Sequence, residues 1–228
     1  MQLSIKIVQF GIVLSLFCGV NNADAQKTNA TSFPIKDVQL LNSAFLNAKK
    51  LDSGYILSLS TNRLLHRFHK YAGLPVKDSV YGGWESDGLS GHTLGHYLSA
   101  SSMMYSTTRN KAFKTNVDYI VSELAICQNA RKTGYVGAIP NEDTVWAKIR
   151  RSEIKSSGFD LNGSWSPWYT VHKVMAGLMD AYYFTDNKQA LDVATKLADW
   201  TYDLVAPLSD SVRLKMLNCE YGGMNEVL

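Results

Sequence analysis

Two histidines, His96 and His172, stand in matching contexts 76 positions apart: His-Tyr-Leu-Ser-Ala-Ser-Ser-Met begins at 96 and His-Lys-Val-Met-Ala-Gly-Leu-Met at 172. Both are expected in the first turn of an apolar helix. Glu226, in the segment Tyr221-Gly-Gly-Met-Asn-Glu-Val-Leu228, occupies a comparable place in a third unit. Side chains so placed gather at one rim of a helical assembly, where the positive helix end also favours hydroxyl oxygens and carboxylates. Singly, each is as well explained by a satisfied core histidine or a carboxylate complementing the helix dipole. Their recurrence at matched positions points instead to a pocket for a hydroxyl-rich ligand.

His96 lies in the glycine-rich stretch Gly82–Ala100, which also contains Trp84, Glu85, Asp87 and His92. Glycines beside ionisable groups suit a backbone that approaches a ligand closely. Read alone, this stretch offers Glu85 or Asp87 as an acid and a histidine as a base. Within the repeat it becomes one wall of a pocket, with His96 as its contact and His92 structural. Trp84, Tyr135, Trp146, Trp165, Trp168 and Tyr169 sit in or beside irregular glycine-rich segments, where flat apolar faces suit stacking on sugar rings. Asn141, Glu142, Asp160 and Asn162 are available there to bond hydroxyls, whereas Trp200 is assigned to packing. Glu85, Asp87, Glu220 and Glu226 are candidate carboxylates for glycoside hydrolysis, but no pair has a diagnostic spacing. Cys219 reads as a buried apolar residue, and His66 with His69 as a solvated helix face. Nucleotide-binding, serine-hydrolase and HExxH metalloprotease motifs are missing from the sequence.

These residues need helices to hold them. Apolar periodicity predicts one from about Asn42 to Leu59 and a shorter one around Leu64–Phe68. Others run over His92–Thr107, Lys111–Gln128, Trp168–Phe184 and Lys188–Leu204, with Arg131–Pro167 irregular. The repeated unit is a helical hairpin whose first helix is apolar on more than one face, and so inner. Its partner is amphipathic, with Asp192, Lys196 and Asp199 outward. Hairpins of this kind build a solenoid or an α/α toroid, and the long loops at one end favour the toroid. The expected fold class is therefore all-α, an (α/α)6 barrel incomplete in this chain. The segment 42–228 would form its N-terminal half, and 26–41 an extended lead-in.

Acidic and basic residues are mixed along the 228 residues, and the net charge of +3 has no basic stripe, which argues against nucleic acid as a partner. The first 25 residues read as an export signal: Lys6, an apolar run from Ile7 to Val20, then Ala23-Asp24-Ala25. A secreted or periplasmic protein is expected, with no membrane attachment after cleavage. Only Cys127 and Cys219 would then remain, so a disulfide-stapled scaffold is ruled out.

Four segments in order (YGGWESDGLSGHTLGHYLSA, ELAICQNARKTGYVGAIP, GFDLNGSWSPWYTVHKVMAGLMDAY and CEYGGMNEVL) resemble the N-terminal half of the bacterial β-L-arabinofuranosidase superfamily, of the glycoside hydrolase family 127/146 type. The resemblance runs from about Phe33 to Leu228 and is closest to the branch that degrades pectin and arabinan. It implies an (α/α)6 barrel followed by β-sandwich domains. The implied activity is that of an exo-acting retaining hydrolase of terminal β-L-arabinofuranosyl groups on plant cell-wall glycans. Members of the family use a cysteine thiolate nucleophile held in a zinc site of cysteines and a glutamate. Those motifs have no counterpart here, so zinc is expected in the full-length family enzyme, and neither a cofactor nor catalytic residues in this chain. His96 and His172 resemble the family's sugar-binding histidines, and Trp84, Glu85 and Glu226 match family motifs. Tyr221 departs from the histidine that many relatives have there. The resemblance thus implies an N-terminal fragment that is inactive by itself.

Overall fold

Three pairs of consecutive helices, the second and third of them packed as hairpins, make up most of a computed structural model that describes residues 31–220 and 222–228. The first joins α1 (Ala44–Ser58) to α2 (Thr61–Tyr71), and a short helix α3 (Trp84–Asp87) follows it. The second joins α4 (His92–Thr108) to α5 (Lys111–Arg131), and α6 (Glu142–Arg150) follows. A three-stranded antiparallel meander comes next: β1 (Ser156–Ser157), β2 (Asp160–Leu161) and β3 (Ser164–Trp165), in the order β1-β2-β3. The third hairpin joins α7 (Pro167–Thr185) to α8 (Lys188–Val205), and α9 (Asp210–Leu217) and α10 (Gly223–Val227) complete the described chain.

The helices form two concentric rows. α1, α4, α7 and α10 pack in sequence as the inner row, and α2, α5 and α8 pack in sequence outside it. This is an all-α arrangement of inner and outer helices, part of an (α/α)6 barrel. Pro34–Leu228 form one compact unit by contact. The lead-in expected to be extended contains a 3-10 turn at Ile35–Asp37, where Pro34 supplies a fixed φ before the turn. The export signal read in residues 1–25 lies outside the described residues.

Each row follows from the sequence. The α8 face bearing Val193, Ala194 and Leu197 is buried while Asp192, Lys196 and Asp199 are exposed, as an outer helix requires. The second and third hairpins turn through the same device. Arg109 and Asp186 both adopt left-handed backbone with φ of 59°. The asparagine that follows each, Asn110 or Asn187, caps the outer helix through Oδ1, accepting from Ala112 N–H and Ala190 N–H. Among the described residues, the inner helices α4 and α7 share the most extensive helix–helix interface. A methyl group at Gly95 would lie 2.2 Å from the Lys173 carbonyl oxygen, and one at Gly177 2.6 Å from the Gly95 carbonyl oxygen. These two backbones therefore touch directly.

The segment 131–167 is more ordered than its composition indicates. Tyr135, Trp146, Trp168 and Trp200 bury their rings together, with centroids 4.4 Å apart for Tyr135–Trp200 and 4.9 Å for Trp146–Trp168. The expectation that Tyr135, Trp146 and Trp168 stack on ligand is corrected here: the cluster fastens α6 and its loop onto α7 and α8. Glu142 is likewise buried, paired with the Arg131 guanidinium and accepting from the Tyr135 hydroxyl and from Ile139 N–H. Asp160 and Asn162 accept from Gly163 N–H and Lys155 N–H, which fixes the turns of the meander. His69, expected on a solvated face, is buried between α2 and α5 with Nε2 2.6 Å from Glu123.

Candidate functional site

The first turns of α4 and α7 come together at one rim of the inner row, and with them the residues singled out by the repeat. Neither helix has an N-cap side chain of its own: Gly91 has none to offer, and Ser166 does not bond back to its helix. A carboxylate from elsewhere fills each place. Glu85 accepts from Gly91 N–H at 2.9 Å and Thr93 N–H at 3.0 Å, and lies 3.2 Å from His92 Nδ1. Glu220 accepts from Trp168 N–H at 2.9 Å and Tyr169 N–H at 2.7 Å. Carboxylates at these positions satisfy orphan amides and complement the helix dipole. Burial raises the Glu85 carboxyl, but the hydrogen bonds from His92, Thr93 and Gly91 outweigh it, and the group lies below the ordinary range. At Glu220 burial wins over the two amides and the carboxyl lies above that range.

Glu85, a candidate for ligand contact, is thus buried and committed to the α4 terminus. Both of its oxygens already accept amide protons, so it shapes the wall instead of lining it. Arg67 of α2 holds the same loop, donating to Ser90 Oγ and the Ser86 carbonyl.

His96, Tyr169, His172, Glu226 and Trp84 come together at this rim. His96 Nε2 lies 3.2 Å from the Tyr169 hydroxyl. Burial depresses the His96 pKa, and Lys173, His92 and His172 add their charges in the same direction, which favours the neutral ring. A neutral imidazole offers one donor and one acceptor, as a sugar hydroxyl requires. His172 Nε2 lies 2.9 Å from Glu226 Oε2, joining a buried ring to a carboxylate that is 73% exposed. Gly223 makes this approach possible, since a methyl group there would sit 2.8 Å from His172 Nδ1.

Trp84 stands 63% exposed, its ring 6.0 Å from Trp165 and 6.2 Å from His92. His92 packs in turn 6.0 Å from both His96 and Tyr169. A row of rings therefore runs from Trp165 through Trp84 and the buried His92 to His96. Sequence reasoning placed His96, His172, Glu226 and Trp84 here and made His92 structural, in keeping with its bond to the Leu89 carbonyl. It missed the pairing of Tyr169 with His96. It also missed Asp180, two turns along α7 from His172, where burial pushes the carboxyl up and the charge of Glu226 adds to the effect.

The zinc implied for the family does not fit the residues present. Among the described residues no three His, Cys, Asp or Glu side chains are grouped to hold a metal ion. Cys127 and Cys219 are free and buried, and burial pushes each thiol up to about 12, away from the thiolate a metal or a nucleophile needs. Among the described residues no helix is long and apolar enough to cross a membrane.

No curated protein matches this sequence. Residues 37–228 match the family described as "Beta-L-arabinofuranosidase, GH127 catalytic domain", from the 3-10 turn to the last residue of the chain. Covering most of the chain, this match places it in the GH127 family of β-L-arabinofuranosidase-type glycoside hydrolases, to which the chain belongs.

Proposed function

We propose that this chain carries the sugar-binding wall of an exo-acting retaining hydrolase that releases terminal β-L-arabinofuranose from plant cell-wall glycans. The observation that carries the reading is the convergence of His96–Tyr169 and His172–Glu226 at one rim, beside the exposed face of Trp84. In this proposal His96 and His172 hold hydroxyls of the terminal sugar and Glu226 orients the His172 ring. Trp84 and Trp165 stack on the glycan. Glu226 is too exposed, and too closely tied to His172, to serve as a shielded proton donor. The cysteine nucleophile and its zinc are not supplied by Cys127 or Cys219, so the chain alone binds sugar without hydrolysing it. We further propose, from the apolar run and the Ala23-Asp24-Ala25 site, that the protein is secreted or periplasmic.

L-Arabinose titrated into the protein is expected to shift the NMR signals of His96 and His172. His96→Ala and His172→Ala should each weaken binding by about 1–3 kcal/mol, the cost of leaving a polar partner unmade. An aryl β-L-arabinofuranoside should remain uncleaved, and zinc should not bind stoichiometrically. Turnover by this chain would overturn the assignment of the nucleophile to other residues. Unaltered binding in both alanine variants would return the histidines to a packing role.

A further inference from the structure

Glu85 and Glu220 do the same task on neighbouring inner helices, but their positions in the chain differ. Glu85 is 6 and 8 residues from the amides it binds, whereas Glu220 is 52 and 51 residues from its own. The two amides held by Glu220 belong to Trp168 and Tyr169. Trp168 is anchored in the buried aromatic cluster 4.9 Å from Trp146, and Tyr169 carries the hydroxyl that meets His96. His172 follows one turn later on the same helix. Glu220 also lies two residues before Gly222, and the following helix α10 packs on α7 and brings Glu226 to His172. A single carboxylate therefore holds the first turn of α7, from which Tyr169 and His172 project.

The geometry points to Glu220 as a positioning residue for the sugar face, acting through Tyr169 and His172 without touching the ligand. The inference rests on the reading of that face as a sugar site. A carboxylate suits the task better than an amide would. Both of its oxygens accept, so two adjacent N–H groups are satisfied at once and the turn is held against rotation as well as against lifting. Glu220→Gln keeps the size of the side chain but opposes an N–H with an NH2 group, so one of the two bonds is lost.

The test uses this chain, with L-arabinose as the probe. In wild-type protein the Trp168 and Tyr169 amides should exchange slowly with solvent although they lie in a first turn, where no intrahelical carbonyl receives them. Fast exchange at both would overturn the clamp without any variant. Glu220→Gln should weaken L-arabinose binding about tenfold, the size of one lost charge-assisted hydrogen bond. It should also move the His96 titration midpoint up, as Tyr169 leaves the ring. In a Tyr169→Phe background, where His96 has already lost that partner, the same substitution should have a much smaller effect on His96. A Glu220→Gln protein that loses thermal stability while keeping its arabinose affinity and His96 midpoint would make Glu220 merely structural. Wild-type protein that ignores L-arabinose would defeat the sugar reading instead, and would leave the exchange result to judge the clamp.

Discussion

Gly95→Ala is expected to destabilise the protein by about 3 kcal/mol, the upper range for overpacking, because the added methyl meets backbone and not a movable side chain. It would lie 2.2 Å from the Lys173 carbonyl oxygen and 2.8 Å from Val174 N. Relief requires α4 and α7 to separate along their whole interface. Gly177→Ala forces the same separation from the other helix, meeting the Gly95 carbonyl oxygen at 2.6 Å. The two substitutions should therefore be far from additive, since one displacement relieves both. Gly82→Ala, with nothing within 4 Å of the new methyl, is the control and should stay within about 0.5 kcal/mol. Urea denaturation of the wild type, the three single variants and the Gly95→Ala/Gly177→Ala double variant reads these effects. Additive losses at positions 95 and 177 would show that the helices accommodate each methyl locally. L-Arabinose affinity should fall with Gly95→Ala as well, because moving α4 draws His96 away from Tyr169.

Arg131→Met is expected to cost about 3–5 kcal/mol, the penalty for leaving a buried charge without its partner. Arg131 Nη1 lies 2.6 Å from Glu142 Oε1 and also donates to the Tyr71 carbonyl. Burial pushes the Glu142 carboxyl up to about 7, although the Arg131 charge opposes this and Tyr135 and Ile139 donate to the carboxylate. The folded pKa is thus above the unfolded value of 4.5, and the folded protein holds the proton more tightly. The associated stability is fully present below the unfolded value and is lost as pH rises through about 7, a change of about 3 kcal/mol. Glu142→Gln cannot titrate and should lack this slope. Denaturation of both proteins at acidic and alkaline pH checks it, and parallel profiles would remove Glu142 from the account. The Arg131→Met penalty should shrink on the acidic side, where the carboxyl it abandons is neutral.

The helices were legible because burial imposes a period on the chain. The amphipathic face of α8 and the two-sided apolarity of α4 and α7 sufficed to assign outer and inner rows. The Arg109-Asn110 and Asp186-Asn187 turns repeat closely enough to mark the hairpins. Two kinds of feature stayed hidden. The aromatic residues of 131–168 look alike in sequence whether they face ligand or core. Only the neighbours they find, such as Trp200 for Tyr135, separate Trp84 from Trp146. The clamp of Glu220 on Trp168 and Tyr169 joins residues more than fifty positions apart, and no local pattern connects them. Glu85 was read as a ligand contact and not as a cap, because the glycine-rich loop around it hides where α4 begins.

The unequal chain distances of the two glutamate clamps also set an order of assembly. Closing the α4 clamp spans 6 to 8 residues, so it forms almost as soon as the helix does. The α7 clamp spans 51 and 52 residues and costs about 2 kcal/mol more in loop entropy. On a chain emerging N-terminus first, α7 must wait until the whole of α8 and α9 has been made before its first turn is fixed. The first turn of α4 is therefore held early, and that of α7 only once Glu220 has been made.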